Sequence, residues 1–139
     1  MGTNIRPEIS NKNKYWIERH RYYELKHFCL QYPTWKKAYI ALEWLSGTPT
    51  DRVISSKTNV INDPTAKCAE ARAYYSERIK MVEMVAVAAD PTISDYILKA
   101  VTEDVSYDRL KAMTDIPCCR DVYYETYRRF FWLLNRARN

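Results

Sequence analysis

The chain has 139 residues, 47% hydrophobic and 28% charged, with a formal net charge of +5. That length bounds one ordinary domain, or two small helical units sharing a core. Only 2 glycines occur, which disfavours both hairpin turns and phosphate-cradling loops, because both rely on residues that tolerate positive φ. The expected fold class is all-α.

The charge is uneven. Residues 1–46 carry 8 Lys/Arg against 4 Asp/Glu, residues 47–104 carry 7 against 9, and residues 105–139 carry 7 against 4. Positive ends around a slightly acidic middle suit a polyanionic partner and argue against an acidic DNA mimic. The cysteines Cys29, Cys68, Cys118 and Cys119 make no CxxC pair. Adjacent cysteines on a helix point about 100° apart, so no metal site and no cofactor is expected, and free thiols are. The sequence shows no signal peptide and no apolar run of membrane length. The expectation is a cytoplasmic protein with no membrane partner.

Taken in chain order, residues 1–11 read as a polar arm containing Pro7, and helical periodicity begins near Lys12. Tyr15, Tyr22, Leu25, Cys29 and Tyr32 form a wide aromatic stripe that Glu18 interrupts. A break is expected at Tyr32, because the residue before a proline is pushed away from helical angles. Pro33 then suits the first turn of a second helix carrying Trp35, Ala38, Tyr39, Leu42 and Leu45, with Gly47 as its stop signal. Residues 47–62 read as an exposed connection with a short helical turn around Asp51–Val53. Asp63-Pro64-Thr65 opens a long helix, Asp63 being the cap, with Cys68, Ala71, Tyr75, Ile79, Val82, Ala86 and Ala89 at heptad-like spacing. The same device at Asp90-Pro91 starts another helix after a sharp corner.

Residues 90–139 then read as a tri-helical helix-turn-helix. Ser106 caps a short helix, Thr114-Asp115-Ile116-Pro117 makes a tight turn, and a long helix starts at Pro117. The whole reads as an N-terminal helical hairpin packed with a long central helix, followed by the tri-helical unit. The expected units are 1–62, for dimerisation or partner contact, and 63–139, for DNA binding. In the last helix Tyr123, Tyr127, Phe130, Phe131 and Leu134 fall on one side and are expected to pack on Ile97, Val101, Leu110 and Met113.

Arg120, Tyr124 and Arg128 form an adjacent row at i, i+4 and i+8. A recognition helix meets base edges with its first turns. Arg120 is therefore the first candidate for a base contact, bidentate to guanine, with Tyr124 and Cys119 making smaller contacts. Ser106, Arg109, Lys111, Arg128, Arg129 and Arg136 are the candidate phosphate contacts, with Arg138 deeper along the same helix. Arg129 also has Glu125 one turn before it as an ion-pair partner. Lys36 and Lys37 would extend the surface if the N-terminal unit also touches DNA. His20 and His27 lie two helical turns, about 10 Å, apart and read as surface residues rather than as metal ligands. No glycine-framed serine, HExxH, P-loop or carboxylate cluster occurs, so an enzyme is not expected.

The segment from Asp63-Pro64-Thr65 through Val105-Ser106-Tyr107-Asp108-Arg109-Leu110, Ile116-Pro117, Tyr123-Tyr124 and Tyr127-Arg128-Arg129-Phe130-Phe131-Trp132-Leu133-Leu134 resembles phage-encoded transcriptional regulators of the RinA/ArpU type. The resemblance covers about residues 63–136. It implies a helix-turn-helix similar to the C-terminal DNA-binding region of sigma factors, double-stranded DNA as partner, and control of late phage genes in a bacterial host cell. The supporting helix would be Ser106–Met113 and the recognition helix Pro117–Leu134. The pair Cys118-Cys119 departs from the pattern, sitting where a polar base-reading residue is more usual. RNA polymerase or another host protein, and a second copy in a homodimer, are the further partners this reading allows. Two alternatives stay open. A phage accessory or anti-defence protein would use its 12 tyrosines and 4 tryptophans to bind a host protein. A small DNA-recognition subunit of a packaging machine would share the helix-turn-helix but form a ring.

Overall fold

The computed structural model describes residues 13–46 and 64–139, and these form an all-α protein. Six helices occur among the described residues: α1 (Arg19–Leu30), α2 (Tyr32–Ser46), α3 (Pro64–Ala89), α4 (Ser94–Glu103), α5 (Tyr107–Met113) and α6 (Arg120–Ala137). No helix among them is long and apolar enough to cross a membrane. Gly47, the turn around Asp51–Val53 and the Asp63 cap lie outside the described residues.

The described residues fall into two compact units, one drawn from Met1–Tyr32 and Met81–Asn139, the other from Pro33–Lys80. These are not the consecutive segments 1–62 and 63–139. The first helix belongs with the C-terminal helices, and α3 supplies residues to both units.

Helix α1 starts later than the periodicity near Lys12 suggests. The Glu18 carboxylate accepts from the amides of His20 and Arg21, both at 3.1 Å, so the residue that interrupts the stripe is the cap of the helix. Those amides, the His20 amide foremost, hold the Glu18 carboxyl below its ordinary range. Ahead of it, Asn13 folds the chain into a turn, its side chain accepting from the Tyr15 amide at 2.7 Å. The break before α2 falls at Gln31 rather than Tyr32. Pro33 sits in the first turn of α2, where a missing amide proton leaves nothing unsatisfied.

In the Pro33–Lys80 unit, Trp35 is buried. The Cys68 thiol lies 3.8 Å from the Leu42 carbonyl, and the Arg72 guanidinium stands 5.8 Å from the centre of the Tyr39 ring.

In the larger unit α1 packs on α4 and α6, and α4 on α5 and α6. Its core joins Tyr22, Leu25 and Cys29 of α1 and Val82, Ala86 and Ala89 of α3 to Ile97, Val101, Leu110, Tyr123, Phe130, Phe131 and Leu134. Tyr22 meets Phe131 edge-on at 5.1 Å, and the hydroxyls of Tyr22 and Tyr127 are hydrogen-bonded at 2.9 Å. Arg21 fastens α1 to the end of α6, its Nε donating to Asn135 at 2.6 Å and a terminal nitrogen to Asn139 at 3.3 Å. Buried Thr126 donates its hydroxyl to the Val122 carbonyl of its own helix at 2.9 Å, so no polar atom there is left unpaired.

Asp90-Pro91 makes the expected corner but does not open the next helix. Asp90 accepts from the Thr92 amide at 2.9 Å, and α4 begins at Ser94 behind Ile93. It ends at Asp104, whose φ of 57° is left-handed, a conformation that aspartate tolerates better than most residues. Met113 is not in the core. It is 51% exposed, and Ile116 from the following turn is the residue buried there.

Candidate nucleic-acid interface

The start of α6 is built by the first turn of α5. Ser106 caps α5 by accepting from the Arg109 amide at 3.2 Å. That fixes Tyr107 as the first helical residue, buried, with its hydroxyl donating to the Cys118 carbonyl at 2.8 Å. The Cys118 carbonyl therefore serves the tyrosine rather than a helical amide. Helix α6 begins at Arg120, with Cys119 as its N-cap making no side-chain bond. The expected start at Pro117 is too early by three residues. The connection is 114–119, longer than the three-to-four-residue turn of a standard helix-turn-helix.

Two groups hold Arg120. Its guanidinium donates to the Asp108 carboxylate and stands 5.3 Å from the centre of the Tyr107 ring. The side chain is still 54% exposed, so further N–H groups face water. Cys119, Arg109 and Lys111 are also exposed. Burial pushes the Cys118 thiol up, with Cys119 and Asp90 adding to the effect and the Lys111 charge opposing it. Ser106 is already an acceptor for the Arg109 amide, so a phosphate would be offered its hydroxyl proton. Of the expected site residues, Ser106 is tied to the Arg109 amide at the cap of α5, and Cys119 stands directly before Arg120 at the start of α6.

Arg128 faces elsewhere, and Tyr124, which also lines a small pocket with Ser106, reaches the same side. With Asp121 and Glu125 they form one wall of a cleft of about 420 Å³, whose other wall is Asn13, Lys14 and Tyr15. Two cations and two carboxylates line it, which is not the uniformly positive surface a phosphate backbone selects. Tyr124 packs within an aromatic group, 4.9 Å from Tyr123 and 6.2 Å from Tyr107 between ring centres.

Arg129 is tied into the fold while remaining partly exposed. It donates to the Tyr15 hydroxyl at 3.1 Å and to the Ala89 carbonyl that ends α3, and lies 3.9 Å from Glu125. The Glu125 pairing was readable from spacing, whereas the other two partners are distant in sequence. The bond from Arg129 also lowers the Tyr15 phenol below its ordinary value, against a smaller opposing effect of burial. Arg136 stacks over Trp132 at 4.8 Å and Arg138 over Phe28 at 3.9 Å. At 1.5 Å per residue, Arg136 stands about 24 Å along α6 from Arg120, too far to share its contacts.

The residues that sequence reasoning missed are Tyr107, Asp108 and the arm Asn13–Tyr15. The Ser-Tyr-Asp run at a helix cap was the available signal for the first two. His20 and His27 are both exposed, and no group of three or more His, Cys, Asp or Glu side chains converges among the described residues.

No protein-family model matches this chain, and no curated protein or solved structure does.

Proposed function

We propose that the chain is a phage or prophage transcriptional regulator that contacts duplex DNA through the start of α6, inside the bacterial cell that carries it. The observation that carries this reading is the mouth between α5 and α6. There Arg120, exposed at the first helical position and paired with Asp108, follows an α5 whose Arg109 and Lys111 are also exposed. A guanidinium at the leading end of an exposed helix is what direct readout of guanine in a major groove requires. The resemblance of residues 63–136 to RinA/ArpU-type regulators supports the same reading. Arg120 takes the base contact. Ser106, Arg109, Lys111 and Arg128 take phosphate contacts. Arg129, already bonded within the fold, and Arg136, at the far end of α6, take secondary places.

Fluorescence anisotropy on labelled fragments of phage DNA tests it. Binding should weaken steeply with salt, Arg120→Ala should relax sequence choice, and Arg128→Ala should weaken all sequences alike. Absence of any anisotropy change at low salt would sink the proposal.

A second reading has its own observation. Trp44 is 77% exposed on α2, one turn after exposed Ile40, and Met84 is 69% exposed on α3. Exposed tryptophan and methionine anchor protein interfaces. On this reading the partner is RNA polymerase, another host protein, or a second copy of the chain. Solution mass, together with nuclease-resistant recovery of one stoichiometric partner, separates these from DNA binding alone.

A further inference from the structure

We propose that Asp108 is a positioning residue that gives the protein its base preference, by holding Arg120 so that the free edge of its guanidinium faces a guanine. This rests on the reading that the start of α6 meets DNA.

The guanidinium is restrained on two sides. One terminal nitrogen donates to Asp108, and Tyr107 stands at 5.3 Å. Tyr107 is itself fixed, being buried and bonded through its hydroxyl to the Cys118 carbonyl at 2.8 Å. That bond ties the first turn of α5 to the residue just before the Cys119 cap, so the platform under Arg120 cannot shift without moving α6. An arginine has five N–H donors in a rigid fork, and one carboxylate oxygen does not use them all.

Two parallel donors on the free edge match the O6 and N7 acceptors of guanine. Adenine places an amino donor where guanine has O6, and meets a donor-only group with a donor. An arginine held in one orientation discriminates more sharply than a mobile one, because its rotamer freedom is lost before DNA arrives. A mobile arginine can turn to a phosphate and contribute affinity without choice.

Selection from a duplex pool with a randomised 20-base-pair centre, followed by anisotropy on a selected and a scrambled duplex, tests this. The full chain is compared with Asp108→Ala, Asp108→Asn, Arg120→Ala and the Asp108→Ala/Arg120→Ala pair. The wild type should enrich a motif containing a guanine that Arg120→Ala no longer requires. Asp108→Ala should reduce preference for that guanine about tenfold, with affinity for the scrambled duplex within about twofold. Asp108→Asn keeps an acceptor oxygen and the side-chain shape, and should fall between the two. The double variant should match Arg120→Ala alone. Unchanged guanine preference in both Asp108 variants overturns the proposal and leaves DNA binding standing. Tighter binding of both duplexes by Asp108→Asn also overturns it, because Asp108 would then be competing with DNA for Arg120. A wild type that binds no duplex overturns the parent reading and the proposal with it.

Discussion

Arg129→Ala should destabilise the protein by about 3 kcal/mol. The guanidinium makes two bonds between distant parts of the larger unit, one to the Tyr15 hydroxyl at 3.1 Å and one to the Ala89 carbonyl. A hydrogen bond with one charged partner contributes about 1.5–3 kcal/mol net. The lower end applies to each, because the side chain is 31% exposed and water can reach the groups left behind. The ion pair with Glu125 at 3.9 Å adds only about 0.3–0.5 kcal/mol, being an exposed pair one turn apart on a helix. Tyr15→Phe keeps the edge-on contact with Trp132 at 5.7 Å and removes one bond, so its loss should be about 1.5 kcal/mol. The Tyr15→Phe/Arg129→Ala pair should be no less stable than Arg129→Ala alone, since both remove the same bond. Urea denaturation followed by far-ultraviolet circular dichroism measures all three. The reasoning fails if Arg129→Ala lies within about 0.5 kcal/mol of the wild type, or if the two losses simply add.

If Arg109, Lys111 and Arg128 each neutralise one phosphate, the slope of log affinity against log salt should be about −2.7, close to a 40-fold loss between 50 and 200 mM; a slope shallower than about −1 would contradict those contacts. Phe131 is fully buried, with Tyr22 at 5.1 Å and Phe130 at 5.0 Å. Phe131→Ala should cost about 3–5 kcal/mol, and a urea midpoint shift worth under about 1.5 kcal/mol would show that the site is not a packed core. Burial raises the Cys29 thiol and the phenols of Tyr32, Tyr123 and Tyr127, so the folded state keeps protons the unfolded chain gives up. Stability should therefore begin to fall above pH about 8.5 and fall faster above about 10. The raised Cys118 thiol acts in the same sense, and Tyr15 in the opposite one, one group against five. Urea midpoints between pH 8 and 11 check this, and a midpoint that holds or rises would reverse the sign.

What the sequence made legible is what neighbouring residues decide. Pro64 at the first position of α3 and Ser106 at the cap of α5 follow from local backbone chemistry, and both are found where expected. The inward row of α6 follows from helical spacing, and Tyr123, Phe130, Phe131 and Leu134 are all buried. The start of α6 was not legible, because Pro117 satisfies every local rule for a first helical position. The tertiary contact found there, from the Tyr107 hydroxyl to the Cys118 carbonyl, joins residues eleven positions apart. Glu18 looked like a flaw in a stripe because glutamate is not a favoured cap, and only the His20 and Arg21 amides reveal what it does. The membership of α1 in the C-terminal unit rests on pairings such as Tyr22 with Phe131 and Arg21 with Asn135, which no spacing rule encodes. Part of the tyrosine excess serves the core, since Tyr22, Tyr32, Tyr107 and Tyr123 are buried, while Tyr74 is 48% exposed.

The site changes in the same way when charge is followed around α6 instead of along it. A row of Arg120, Tyr124 and Arg128 looks like one face in sequence, but its members have different neighbours. Arg120 belongs with α5, paired with Asp108 and standing over Tyr107, while Arg128 belongs with the arm, across a cleft that also holds Asp121 and Glu125. A duplex laid along that cleft would bring phosphates against two carboxylates, and like charges brought together in an interface oppose binding. A duplex approaching the end of α6 meets Asp108 already paired with Arg120, which leaves the cations of α5 to face it. The chemistry therefore favours an end-on approach to the α5–α6 mouth over a side-on approach along α6. If the chain binds DNA as proposed, that approach would leave Arg128 to meet the phosphate backbone at the margin and give sequence choice to Arg120.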